Sequence, residues 1–239
     1  MEVEIKQHQN KGQLNIGIDI DDTLNDYGNE FISFVNKKLG TKYDINNMTY
    51  YNYPIFFEKS EEETQQLFYE FEEKYIDSLS PNANSYNQLF NLKNEFNCKL
   101  YIITSRSERI KTQTENWIKK NYPNIFDGIE FGNNYDDNPK LIKRSKYEMC
   151  QSRNINILID DRYDIVYDDR LFGILFVRPW SSNRPYKYKF TNWYDLSFRY
   201  LFSKKISNTV YLNGDEHRDI NILIGLSGKL GSGIYFLSG

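Results

Sequence analysis

Asn15-Ile16-Gly17-Ile18-Asp19-Ile20-Asp21-Asp22-Thr23-Leu24 is an apolar run that stops abruptly at carboxylates. It reads as a strand that hands two acids to a metal. Alternating side chains of a strand face opposite ways, so Asp19 and Asp21 share a face only while the strand lasts. Beyond its end, a loop can turn both toward one point. Three carboxylates within four residues repel one another, and protonation, a shared cation or exposure to water relieves the strain. The alternative is a solvated turn at Asp21, Asp22 and Thr23, with Asp19 merely capping the strand.

Working outward, Tyr27 to Leu39 places Phe31, Ile32, Phe34, Val35 and Leu39 at helical spacing, and Gly40 ends the helix. Met48 to Phe57 reads as an aromatic loop. Ser60 followed by Glu63 is a capping box, and Leu67, Phe68, Phe71 and Tyr75 continue the apolar stripe of a second helix. After Pro81, Tyr86, Leu89, Phe90 and Phe96 mark a third. Lys99 to Thr104 is a strand ending in Ser105-Arg106, followed by helical spacing at Ile110, Trp117 and Ile118. Ile129 to Phe131 is a short strand, Arg144 to Ser152 looks helical, and Ile155 to Ile159 leads into Asp160-Asp161-Arg162. Gly173 to Val177 supplies a further strand, closed by Arg178-Pro179-Trp180. Strands alternating with helices predict an α/β fold with a parallel sheet. In such sheets ligands sit beyond the carboxyl ends of the strands, where these polar residues fall.

The 239 residues allow one generous α/β domain plus a small inserted or appended unit. A formal net charge of -3 gives no global basic field and argues against a duplex nucleic acid partner. With 20 Tyr and 16 Phe the core is expected to be rich in aromatic side chains. Cys98 and Cys150 stand far apart with only His8 and His217 to join them, which argues against a zinc site and a disulfide framework. The polar stretch from Met1 to Gln13 lacks the apolar centre of a signal peptide, and no apolar run approaches the ~20 residues needed to cross a bilayer. The expectation is a soluble protein of a reducing intracellular compartment, cytoplasmic or within a host cell.

Four polar sites recur at element ends: Asp19 with Asp21, Thr104 with Ser105, Lys146, and Asp160 with Asp161. Each has a plain explanation alone. Thr104 and Ser105 could cap the following helix, Lys146 could be solvated, and Asp160-Asp161 could be a polar turn. Their order along the chain changes that reading. The stretch from Asp19 to Leu24 matches D-x-D-x-T/V-L, the first motif of the haloacid dehalogenase-like phosphohydrolases, and the other three sites follow in the order of that superfamily's motifs.

The resemblance implies a Rossmann-like core with a parallel sheet and a small helical cap inserted between the first two motifs. It implies Asp19 as the nucleophile that forms an aspartyl-phosphate and Asp21 as the acid/base. Mg²⁺ would be held by Asp19, the Asp21 carbonyl, and Asp160 or Asp161, all hard oxygen ligands. Thr104 and Ser105 would hold phosphoryl oxygens, while Lys146 would offset charge at the nucleophile. Arg144 and Lys146, two apart, do not share a helix face, so one of them must precede the helix or sit in its first turn.

The chain is most similar to the small 5'(3')-deoxyribonucleotidase branch, from about Leu14 to Tyr194. Tyr27 takes the place of an aromatic in that branch's nucleotide pocket, Arg144-Ser145-Lys146 matches its Arg-x-Lys pair, and Arg178-Pro179-Trp180 resembles its R-P-W-N signature, with Ser181 in place of Asn. The expected division is residues 1–26 plus 84–205 as core and 27–83 as cap. The expected reaction is Mg²⁺-dependent hydrolysis of small (deoxy)nucleoside monophosphates; a homodimer stays open. Residues 206–239 form a tail in which Ile220 to Gly233 resembles the start of a P-loop kinase, but Ile234 stands where the motif needs lysine. No kinase activity is expected of it. Two alternatives are a polynucleotide 3'-phosphatase, since that group can be fused to P-loop kinases, and a catalytically idle nucleotide-binding protein.

Overall fold

The computed structural model describes residues 13–96 and 98–196, together with three short strands beyond them. Six strands form one sheet: β1 (Asn15–Ile18), β2 (Lys99–Thr104), β3 (Gly128–Phe131), β4 (Ile157–Asp160), β5 (Phe172–Phe176) and β6 (Lys189–Phe190). Their order is β3-β2-β1-β4-β5-β6 and every pairing is parallel. The three short strands, β7 (Lys205–Ile206), β8 (Thr209–Tyr211) and β9 (Asn221–Ile222), pair antiparallel with one another. The glycine-rich stretch from Gly225 to Gly233, singled out in the tail, lies outside the described residues.

β1 lies at the middle because it is apolar on both faces: Ile16 and Ile18 are fully buried. Gly17 permits the close packing, since a Cβ there would come 2.8 Å from Ile103 Cγ1 on β2. The chain runs from β1 to β2 and β3 on one side, then returns to β4 on the other. The sheet order therefore reverses direction beside β1.

Seven helices accompany the sheet among the described residues: α1 (Tyr27–Leu39), α2 (Tyr53–Phe57), α3 (Glu61–Tyr75), α4 (Ser85–Phe96), α5 (Lys111–Asn121), α6 (Lys146–Ser152) and α7 (Tyr163–Val166). None of them is long and apolar enough to cross a membrane. Gly40 closes α1 in the left-handed conformation at φ 68°, its N–H donating to the Asn36 carbonyl. Ser60 and Glu63 form the capping box expected for α3, and Ser145 and Glu148 form a second at α6. The aromatic stretch expected to be a loop holds a helix instead. Asn52 accepts from the Ile55 N–H and Pro54 sits in the first turn, which together start α2.

Between β1 and β2 the aromatic side chains extend the main core that also holds Ile16, Ile18 and Ile102 of the sheet. Phe31 stacks on Phe68 with centroids 4.5 Å apart and meets Tyr53, Phe57 and Phe71 edge-on between 5.2 and 5.8 Å. Each ring adds about 0.5–1.5 kcal/mol to its area burial through such geometry. This joins α1, α2 and α3 into one packed unit over the carboxyl ends of β1 and β2.

Candidate active site

The carboxyl ends of β1, β2 and β4 lie side by side, so their following residues converge. The Asp19 N–H still donates to the Ile159 carbonyl of β4 at 2.9 Å, which fixes where the Asp19 side chain starts. Lys146, the first residue of α6, is buried and reaches back to three oxygens. Its Nζ lies 2.5 Å from Asp19 Oδ1, 2.9 Å from Asp160 Oδ2 and 2.6 Å from the Ile103 carbonyl. The capping box at Ser145 is what puts Lys146 in the first turn, with Arg144 outside the helix.

Asp19, Asp160 and Asp161 are all buried, and one oxygen from each lies within 4.8 Å of the others. Trp180 Nε1 donates to Asp161 Oδ2 at 2.8 Å and the Arg162 N–H to Asp160 Oδ1 at 3.0 Å. Burial pushes the Asp19 carboxyl up to about 7, partly offset by Lys146 and reinforced by Asp160 and Asp21. Asp161 is also held well above the ordinary carboxylate range, by burial and then by Asp160 and Asp19. Burial works to lower the Lys146 ammonium, but Asp160 and Asp19 together outweigh it and hold it above the usual lysine range. With three acids against one ammonium, ionising all three leaves negative charge with no partner, which is why burial and mutual repulsion hold Asp19 and Asp161 toward the protonated form. An all-oxygen donor set with that deficit fits a hard divalent cation such as Mg²⁺.

Each of the three acids in the opening motif has a separate cation. Asp19 has Lys146. Asp21 is held by Arg106, whose Nε and Nη2 reach its two oxygens at 2.8 and 2.6 Å, a bidentate fork. Arg106 is itself buried and anchored by Nη1 to Thr114 Oγ1 at 3.1 Å. Asp22, in the left-handed conformation at φ 61°, accepts from the Gly28 N–H at 2.9 Å and from Arg178 Nη2 at 3.1 Å. Arg178 also pairs with Asp26. Burial raises Asp22 to about 7 against the pull of Arg178 and the Gly28 N–H. Asp22 thus ties the start of α1 to the segment after β5, leaving Asp19 and Asp21 to face the cavity. The Asp21 carboxylate stands apart from the three acids that converge.

A cavity of about 380 Å³ opens over these groups. Asp19, Asp21, Thr104, Ser105, Lys146, Asp160, Asp161 and Tyr27 all line it, so most of the expected site residues come together. Thr104 is buried and its Oγ1 accepts from the Arg106 N–H at 3.2 Å, while capping of the next turn falls to Ser107, which accepts from the Arg109 N–H at 3.0 Å. Arg144 is not brought to the cavity. Its guanidinium pairs with Glu130 of β3 and reaches Ser152 Oγ at 3.0 Å, because the residue before the cap points back along the sheet.

Residues that sequence reasoning passed over include Arg106, Glu72 and Arg109, whereas Tyr51 and Tyr53 belong to the Tyr50 to Phe57 cluster expected to offer stacking faces for a base. Arg106 had a signal: it directly follows Thr104-Ser105. Glu72 had none, being one of several acids along α3; burial raises it to about 7, offset by its partner Arg109 and by Arg106. Arg109 also lies 4.2 Å from the Tyr69 ring centre, and Tyr69 donates to Asp137 Oδ1 at 2.5 Å, so α3 is tied to the loops after β2 and β3.

Comparison with solved structures gives the same architecture. A haloacid dehalogenase-like hydrolase from Streptococcus pneumoniae superposes with a TM-score of 0.52 at 18% identity, over 72% of this chain and 91% of that one. The fold is the haloacid dehalogenase-like one. A predicted phosphoglycolate phosphatase from Haemophilus somnus gives 0.51 at 16% identity, over 78% of this chain and 97% of that one. A predicted phosphatase from Clostridium acetobutylicum gives 0.50 at 20% identity, over 68% and 84%. A scan against protein-family models finds no match, and neither does a search of curated proteins. In a haloacid dehalogenase-like fold the reversal of sheet order beside β1 is the position where a ligand is expected, and the converging carboxylates lie there.

Proposed function

We propose that the protein is a Mg²⁺-dependent phosphatase of small (deoxy)nucleoside monophosphates, working through an aspartyl-phosphate on Asp19. The observation that carries this reading is Asp19 at the reversal point, joined through Lys146 to Asp160, with Asp21 two residues on and Thr104 at the neighbouring strand end. Residues 27–83 act as the cap that closes over the substrate, which favours a small molecule over a polymer.

An Asp19 oxygen attacks phosphorus, and the bond to the leaving oxygen breaks as Asp21 supplies its proton. Water then attacks the phosphorus, gives a proton to Asp21, and the bond to Asp19 breaks to release inorganic phosphate. Asp19, Asp160 and Asp161, with the Asp21 carbonyl, would hold Mg²⁺, which when bound neutralises charge around the transferred phosphoryl group. Thr104 and Ser105 hold phosphoryl oxygens. Both Asp21 oxygens accept from Arg106, so the acid must release one of these bonds before it handles a proton. Lys146 stays with Asp19 throughout and limits the charge gathered there.

The nucleotide preference is supported by the rings in the cavity wall, among them Tyr27, Tyr51, Tyr53 and Tyr135. Stacking of a base is worth roughly 1–3 kcal/mol where it occurs, enough to select nucleotides over sugar phosphates. Phosphate release from 5'- and 3'-deoxynucleotides, ribonucleotides and small sugar phosphates, with Mg²⁺ and with a chelator, tests the reading. Nucleotides are expected to be fastest and the chelator to stop turnover. Equal turnover of sugar phosphates rejects the nucleotide preference, and no release from any substrate rejects the phosphatase.

A further inference from the structure

A second recess, about 560 Å³, opens beside the reaction cavity, and the two share Tyr51, Asn52 and Arg162 in their walls. The wall between them is tied to the carboxylates: Tyr51 meets Trp180 edge-on at 5.2 Å, and Trp180 donates to Asp161. Away from the shared wall the recess is bounded by Tyr50, Tyr163 and Arg184. The Arg184 guanidinium lies 5.7 Å from the Tyr50 ring centre and 5.5 Å from that of Tyr163.

The charges around this recess do not balance. Its lining carries Arg162, Arg184 and Asp164. Asp164 is taken by Arg162, whose Nε and Nη2 reach its two oxygens at 3.1 and 2.5 Å. Arg162 Nη1 is also used, donating to the Tyr135 hydroxyl at 2.7 Å. Arg184 has no carboxylate partner among the described residues, and the rings beside it leave the N–H groups at its edge free to donate. A half-buried, uncompensated guanidinium between tyrosine faces recognises a phosphate attached to a planar group.

We propose that this recess is a second anion subsite, in which Arg184 binds a further phosphate carried by the substrate on its leaving-group side. The inference rests on the phosphatase reading and narrows its substrate class. The preferred molecule carries a second phosphate beyond the scissile one, either as a nucleoside bisphosphate or as the internucleotide phosphate of a short oligonucleotide. Tyr51 and Arg162 line both chambers, so a substrate that spans them would pass over these two side chains.

Binding is measured by calorimetry on the full chain carrying Asp19→Asn, and phosphate release on the unaltered full chain. The probes are deoxyadenosine 5'-monophosphate, deoxyadenosine 3',5'-bisphosphate and a 5'-phosphorylated deoxyadenosine dinucleotide. At least one doubly charged probe is expected to bind roughly five- to ten-fold more tightly than the monophosphate, an advantage that shrinks with added salt. Arg184→Ala brings the ratio toward one, and Arg184→Lys keeps part of it. The bisphosphate or the dinucleotide showing the larger ratio identifies the source of the second phosphate. Equal binding of all three, or an advantage that survives Arg184→Ala, overturns the subsite. An advantage in binding without phosphate release from any probe leaves the subsite standing and removes the phosphatase.

Discussion

The floor of the cavity and its roof are built on different principles. On the floor, acids from strand ends meet buried cations at hydrogen-bonding distance: Asp19 with Lys146 at 2.5 Å, Asp21 with Arg106 at 2.6 Å. In the roof, rings from α1, α2 and α3 pack on one another, and the Glu72 carboxylate is paired with Arg109 from the segment after β2. Charges fixed by a rigid sheet suit the proposed phosphoryl transfer, whose demands do not vary. Rings on a helical layer can be exchanged without moving those charges, so the roof is where the proposed substrate preference would be set.

This contrast is sharpest at Asp19, the proposed nucleophile. Asp19→Asn is expected to lower phosphate release on the order of 10⁴-fold or more while circular dichroism stays unchanged. Retained turnover would break the distinction between floor and roof, since another group would then be doing the chemistry. Arg106→Ala is expected to cost roughly 10²-fold in kcat, with a smaller loss on aryl phosphates, whose leaving groups need no proton. An equal loss on aryl and alkyl monoesters would make Arg106 a phosphate ligand alone and not a partner that positions Asp21.

Much of the floor was legible because its signals are local. Asp19 and Asp21 stand in one short segment, and Thr104 and Asp160 each close an apolar strand. Gly40, Ser60 and Glu63 marked helix ends by chemistry that needs only neighbouring residues. The roof was less legible. Met48 to Phe57 looks like a loop because aromatic spacing is irregular there, yet Asn52 and Pro54 were enough to start a short helix. Arg144 was misplaced for a different reason: its partner Glu130 lies on another strand, and sequence spacing carries no information about that neighbour.

Glu72 tests the roof by pH. Its carboxyl is raised from 4.5 to about 7, so the folded protein holds this proton more tightly than the unfolded chain does. Stability from this group is complete below about pH 4.5 and is lost as pH rises toward 7. Glu72→Gln is expected to flatten that fall by roughly 1–3 kcal/mol in denaturant melts between pH 4.5 and 8. An unaltered slope would mean that Arg109 keeps the carboxylate charged. The smallest effect is expected at Arg144→Ala: less than two-fold in kcat/KM and under about 1 kcal/mol in stability, as for a half-exposed ion pair. A large loss of activity there would extend the floor to β3.

The three acids of the opening motif find their cations 127, 85 and 156 residues away in the chain. Closing loops of that length comes late in folding, after the sheet has brought its strand ends together. The site therefore has no local nucleus and no partly built form: a chain lacking α6 or the segment after β5 leaves buried acids without partners. Activity and global structure are expected to vanish in one cooperative transition, which makes turnover itself a probe of whether the whole sheet has closed.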